Sequence, residues 1–116
     1  MRYISLFPFE NLLYNVFNQY DHERTAQDME IKIATRQCRD DLGQQRRFHY
    51  FLTVELVESG AFCCENYGVR IAEEAGTTAA IPAITTSAAR IDELMGRLVE
   101  HRVSPDNLRG VVEDWL

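Results

Sequence analysis

From Phe48 to Glu58 the chain alternates with a period of two. Phe48, Tyr50, Leu52, Val54 and Leu56 share one parity; His49, Phe51, Thr53, Glu55 and Val57 share the other. Alternation in a run rich in aromatic and β-branched residues predicts a strand. Both parities carry apolar residues, so both faces ask for cover. Ser59-Gly60 supplies a turn. Ala61 to Ile71 then reads as a returning strand, with Tyr67, Val69 and Ile71 on one face. Gly68 inside it predicts a bulge or a close backbone approach. Before this hairpin, Met29, Ile31 and Ile33 alternate with Glu30 and Lys32, a further strand over 29–35, and the polar stretch Gln37 to Arg47 reads as a connection. After it, Glu73 to Gly76 is a turn. Thr77 to Ile84 is a weaker strand, which Pro82 confines to a sheet edge or a strand end.

Helical periodicity frames the sheet. Pro8 suits a first helical position, and Phe9, Leu12, Leu13, Val16, Phe17 and Tyr20 follow as an amphipathic stripe. Near the other end, Thr86 or Ser87 can cap a helix carrying Ile91, Leu94, Met95, Leu98 and Val99 on one face. Ser104-Pro105-Asp106 reads as the start of a last helix. Leu108, Val111, Val112, Trp115 and Leu116 are its apolar side and are expected to pack. The pattern predicts one α+β domain over 1–116: a small antiparallel three- to four-stranded sheet packed by two C-terminal helices, with an N-terminal amphipathic helix. Residues 1–28 form a helical extension and 29–116 the core.

Composition narrows the function classes. The 116 residues hold 12 Lys and Arg against 18 Asp and Glu, a net charge of -6. Nucleic-acid binding rests on a basic footprint, so none is expected. Residues 1–28 carry two positive and four negative charges, 29–60 five of each, and 61–116 five against nine. No apolar run approaches the roughly 18 residues that cross a membrane. Cys38, Cys63 and Cys64 are odd in number, two of them adjacent, which makes a poor disulfide framework. With no apolar leader in Met1 to Phe9, the expectation is a cytoplasmic protein.

Three stretches stand out together: the strand Tyr50 to Val57, the run Tyr67-Gly68-Val69-Arg70-Ile71, and the closing Ser104-Pro105 with Val111-Val112-Glu113-Asp114-Trp115-Leu116. On these, residues 48–116 resemble a family of short bacterial proteins classed as a domain of unknown function. The resemblance implies a compact α+β domain and brings no activity with it. Members are typically shorter than this chain. Met29 is accordingly a second candidate start of translation, although the regular stripe of residues 9–20 favours a genuine element there.

Candidate chemistry is sparse. His49 with Cys63 and Cys64 offers zinc-ligand types, but adjacent cysteines on a strand point to opposite faces and no C-x-x-C spacing is present. They read better as small buried residues of a sheet. No cysteine is paired by any local signature with His22, His49 or His101. The acid pairs Asp40-Asp41, Glu73-Glu74 and Glu113-Asp114 are read as solvated, and no glycine-rich phosphate loop occurs. Arg36, Arg39, Arg46 and Arg47 beside Phe48, Tyr50 and Phe51 have the ingredients of a single-strand stacking surface, interrupted by Asp40 and Asp41. The expectation is no catalytic centre, no metal and no cofactor.

What remains is an aromatic surplus: five Tyr, six Phe and one Trp. Helices on one side of a small sheet cover one face. The other, with Phe51 and Val57, then needs the first helix, with Phe9, Phe17 and Tyr20, or a partner. These five residues are the expected contact surface of a small non-enzymatic protein-binding or regulatory protein, with a second copy as one possible partner. The competing expectation is an acidic inhibitor of a nucleic-acid-processing system, carried by a phage or mobile element.

Overall fold

The computed structural model describes residues 28–59 and 62–116. Strands β1 (Met29–Arg39), β2 (Gln45–Ser59), β3 (Phe62–Glu73) and β4 (Thr78–Thr85) lead to helix α1 (Ala88–Glu100), a 3-10 turn (Pro105–Asn107) and helix α2 (Leu108–Trp115). The strands pair antiparallel in chain order as one four-stranded meander. The fold is therefore α+β, with both C-terminal helices present. The helix expected from Pro8 to Tyr20 lies outside the described residues.

One parity of the central hairpin forms the core. Phe48, Tyr50, Leu52 and Val54 of β2, with Tyr67, Val69 and Ile71 of β3, are almost wholly buried. They form one cluster with Ile91, Leu94, Met95, Leu98 and Val99 of α1 and Leu108 and Val112 of α2. Burying a side chain of this size is worth about 1.5–3 kcal/mol. The Tyr50 hydroxyl donates to the carbonyl oxygen of Val103 at 2.9 Å, which satisfies a polar group in the middle of that core.

β1 departs from simple alternation. Its register passes from Lys32 opposite Phe51 to Ala34 opposite Tyr50, so Ile33 is an extra residue. The bulge switches the parity that faces the core. Met29 and Ile31 precede it; Ala34 and Cys38 follow on the other parity, and Ile33 is buried at the switch. Past the bulge the ladder continues through Gln37, Cys38 and Arg39 to Arg47, Arg46 and Gln45. The polar stretch expected to be a connection over 37–47 is thus mostly strand, and the turn proper is short. Asp40 closes it, its Oδ1 accepting from the backbone N–H of Leu42 at 2.9 Å and of Gln44 at 2.8 Å, while Gly43 takes φ 78°.

β4 is an edge strand, as Pro82 required. Between Tyr67 opposite Thr85 and Val69 opposite Ile81, β4 holds extra residues, and Ala83 lies at φ 56°. β4 presses onto Gly68 here. A Cβ on Gly68 would stand 2.5 Å from the Ile81 carbonyl oxygen, 2.7 Å from the Pro82 Cα and 2.7 Å from Thr53 Oγ1. The expected close approach is real, and only glycine fits it.

Ser87 caps α1, its hydroxyl accepting from the Arg90 N–H at 3.2 Å. α1 ends with Arg102 at φ 50°, the Val103 N–H reaching the Leu98 carbonyl and the Arg102 N–H that of Val99, the paired bonds of a Schellman ending. Ser104-Pro105 opens the 3-10 turn instead of α2 itself, and Ser104 makes no side-chain cap. Trp115 is half-buried and takes the Arg90 guanidinium over its ring at 4.1 Å. Leu116, expected to pack, is 71% exposed because α2 stops at Trp115.

Candidate functional site

α1 and α2 cover one face of the sheet. Across the other, the register aligns Glu30, Thr53 and Gly68 in one row, Lys32, Phe51, Arg70 and Ala80 in the next, and Thr35, His49, Ala72 and Thr78 in a third. Phe51, the aromatic expected here, is half-buried, and no helix among the described residues lies above it. The Arg70 guanidinium lies over its ring at 4.0 Å, and Glu30 grips that guanidinium with two bonds, Nε to Oε2 at 2.7 Å and Nη2 to Oε1 at 2.5 Å. This planar two-point pair holds the Glu30 carboxyl below its ordinary range and Arg70 more firmly protonated. Phe51 therefore lies under a charge, in a cation–π stack with a polar top.

A second ionic row crosses the same face nearer the β1–β2 turn. His49 Nδ1 lies 3.0 Å from Thr35 Oγ1, and Glu74 stands 3.5 Å from both His49 Nε2 and Arg47. On the helix side, Arg46 grips Glu73 through Nε at 2.9 Å and Nη2 at 2.6 Å, which holds the Glu73 carboxyl below its ordinary range. Glu73 and Glu74, expected to be solvated, are thus ion-pair partners. The same bonds dismantle the basic stretch. The β1 bulge puts Arg36 on the helix side and Arg39 on the open side, and plain alternation along β2 puts Arg46 and Arg47 on the same two sides in turn, so the four arginines form no continuous track.

Beyond the last pairing with β1, Met29 opposite Val54, and with β4, Tyr67 opposite Thr85, β2 and β3 continue with no further strand beside them among the described residues. This two-stranded ribbon runs on past Glu55–Asn66 to Ser59–Phe62. Val57, the other sheet residue expected at a contact, lies on it opposite Cys64 and is half-buried. Glu55, Glu58 and Glu65 ride on the ribbon, and no Lys or Arg occurs between Arg47 and Arg70. Burial pushes the Glu65 carboxyl up. Phe9, Phe17 and Tyr20, the remaining expected contact residues, lie outside the described residues.

Cys63 and Cys64 sit on opposite faces of the ribbon, as strand geometry required, but both are exposed. Reading them as buried packing residues was wrong, because the ribbon leaves the helices behind before it reaches them. His49 lies eight positions along β2 from Val57, about 26 Å at ~3.3 Å per residue, so His49 and these thiols do not meet. Among the described residues, no group of three or more His, Cys, Asp or Glu is placed to hold a metal ion. The Cys63 thiol is pushed up, by lost hydration first and then by Glu58 and Glu65, opposite to the shift that activates a nucleophile.

A groove of about 320 Å³ opens on the open side where β4 bulges, lined by Asp28, Glu30, Thr53, Glu55, Ala80 and Pro82 among others. Sequence reasoning missed it. Its signal was Gly68 within a strand together with Pro82 in the next; together they bring β4 onto Thr53.

A meander with helices on one face, a salt-bridged open face and a projecting ribbon defines the class of molecule. Residues 29–116, spanning all four strands and both helices, match the family described as a family of unknown function (DUF6514), and the chain belongs to it. The match begins at Met29, so it takes in β1 as well as the 48–116 region in which the resemblance was legible. No curated protein and no solved structure matches the chain. Among the described residues no helix is long and apolar enough to cross a membrane.

Proposed function

We propose that this chain is a small non-enzymatic protein-binding protein, regulatory in role and acting in the cytoplasm, that engages a protein partner through its open sheet face and ribbon. One observation carries the reading: both helices lie on the same side, and no described element covers the face from His49 to Val57 or the ribbon beyond it. The ribbon has half-buried Leu56 and Val57 among acidic residues. Apolar anchors rimmed by charge are the composition of a transient interface. The odd cysteine count fits a reducing compartment.

The test is capture from the native host on immobilised chain carrying a photo-crosslinker at position 57, followed by mass spectrometry. A partner crosslinked there should lose about tenfold or more in retention with Val57→Asp, the cost of one interface anchor, and keep it with Arg109→Ala on the exposed side of α2. A partner retained equally by both variants contradicts the reading.

A second reading draws on the charge of the ribbon. Glu55, Glu58 and Glu65, with no basic residue between Arg47 and Arg70, suit a basic groove such as one that handles nucleic acid. In that case the chain is a mobile-element inhibitor, and the captured partner is itself a nucleic-acid-processing protein whose retention falls steeply with salt.

A further inference from the structure

We propose that the groove between the start of β1 and the bulge of β4 receives an arginine side chain of the protein partner, its stem on the β4 wall and its guanidinium between Asp28 and Glu55. The inference deepens the reading above, since it rests on the open face meeting a protein and adds the chemistry that one part of that face selects.

The groove owes its walls to the strand pairing. Gly68 has no side chain, so β4 closes over it and Pro82 comes up beside Thr53. Pro82 and Ala83 of this bulge form an apolar wall, and the first residues of β1 form the other. The space between them is about 320 Å³. Pockets for small molecules start at roughly 300 Å³, so this one suits a single long side chain better than a nucleotide or a large cofactor.

The carboxylates select the occupant. Asp28, Glu30 and Glu55 line the groove, and no Lys or Arg does. Arg70 already engages both oxygens of Glu30. One step beyond the Met29–Val54 pair the register sets Asp28 opposite Glu55, and among the described residues neither has an ion-pair partner. Like charges directly opposite on neighbouring strands are unfavourable. A cation seated between them relieves that repulsion, and the apolar wall calls for a cation on a hydrocarbon stem. Arginine supplies both. Its planar fork of donors can serve two carboxylates at once and still reach the Thr53 hydroxyl, where an ammonium is a single point of charge. The neighbouring row already holds a guanidinium on this face, with Arg70 over Phe51 and gripped by Glu30.

Position joins the groove to the ribbon. Glu55 and Val57 share a parity two residues apart on β2, about 7 Å at ~3.3 Å per residue. An extended partner segment with its arginine in the groove therefore sets the residue two places along over Val57.

The experiment titrates the whole 116-residue chain, isotope-labelled, with N-acetyl-arginine amide, and in parallel with equally capped lysine and norleucine. Capped arginine should move the amide resonances of Thr53, Glu55, Ala80 and Ala83 saturably, with a midpoint on the order of 1–10 mM for one side chain. Capped lysine should bind about threefold or more weaker, and norleucine should leave these resonances still. Asp28→Asn/Glu55→Gln should weaken the arginine response about tenfold or more, and Glu113→Gln on the exposed side of α2 should keep it. The double variant removes a like-charge pair, so it should melt no lower than wild type, which separates lost binding from lost fold. Groove resonances that ignore capped arginine overturn the proposal, since something else then fills or closes the groove. So does an equal response in the double variant, an equal response to lysine, or a double variant that melts lower. So does magnesium ion that moves the same resonances at lower concentration, since the carboxylates then serve a metal. The titration involves neither a captured partner nor Val57, so it and the capture assay can each fail without the other.

Discussion

The Tyr50 hydroxyl donates to the carbonyl oxygen of Val103 at 2.9 Å, across 53 residues of chain, with both groups buried. Tyr50 is wholly buried at the centre of β2, and Val103 lies just after α1. One side chain thus fastens the middle of the sheet to the joint between the helices. Burial, the main cause, raises the phenol well above its usual range, so it stays a donor at any ordinary pH. Tyr50→Phe leaves the Val103 carbonyl unsatisfied and should cost about 1–3 kcal/mol, read as a lower urea midpoint at unchanged slope. An unchanged midpoint would show that water replaces the bond.

Gly68 is the other point at which the fold depends on one residue. Gly68→Ala drives a methyl group into the Ile81 and Pro82 backbone and Thr53 Oγ1. Backbone yields less readily than side chain, so a loss of about 1–3 kcal/mol or more is expected. The amides of β4 should shift most in the variant's spectrum. A variant as stable as wild type would mean that β4 lifts from β3 freely.

Arg102 at φ 50° closes the ending of α1 in a backbone region that costs a non-glycine residue about 1 kcal/mol. The hydrogen bonds of that ending, one of them from the Arg102 N–H, join backbone groups alone, so Arg102→Gly keeps them and should raise stability by up to about 1 kcal/mol. A fall would show that the Arg102 side chain contributes more than its backbone conformation costs.

The ion pairs set a pH dependence. Arg46 holds Glu73, and Arg70 holds Glu30, below the ordinary carboxyl value of 4.5. Such a group binds fewer protons folded than unfolded. Its stabilisation is present above that value and is lost as pH falls through the folded one. Glu65, pushed up by burial, acts in the other sense, its contribution lost as pH rises toward its folded value. Among the described residues, two groups against one predict a falling thermal midpoint on acidification below about pH 4.5. Glu73→Gln should flatten that fall. An equal slope in the variant would show that the Arg46 pair adds nothing.

The core was legible because it is a matter of parity. Phe48 to Val54 and Tyr67 to Ile71 alternate as a two-layer fold demands, and α1 shows its stripe openly. The bulge at Ile33 was not legible. Met29, Ile31 and Ile33 look like unbroken alternation, and only the register with Phe51 and Tyr50 reveals the extra residue. That switch makes Gln37 to Arg39 strand, although their side chains read as loop. Leu116 failed for a similar reason: its spacing suits the stripe of α2, but the helix ends one residue earlier. At the open face, Phe51 and Val57 could be placed on the second side of the sheet. Arg70 over Phe51 could not, because the contact depends on the pairing of β2 with β3 and on Glu30 from β1. The groove was half legible, since Gly68 and Pro82 each signalled an irregularity and neither told where the other lay.

The central claim is that the open face and ribbon, not the helices, meet a protein partner. The most direct measurement titrates the crosslinked and identified partner into the isotope-labelled chain. Resonances of Phe51, Glu55, Val57 and Glu58 should shift or broaden with bound fraction, while Arg97 and Arg109 on the helix side stay unchanged. Perturbation confined to α1 and α2, with β2 silent from His49 to Glu58, would contradict the account.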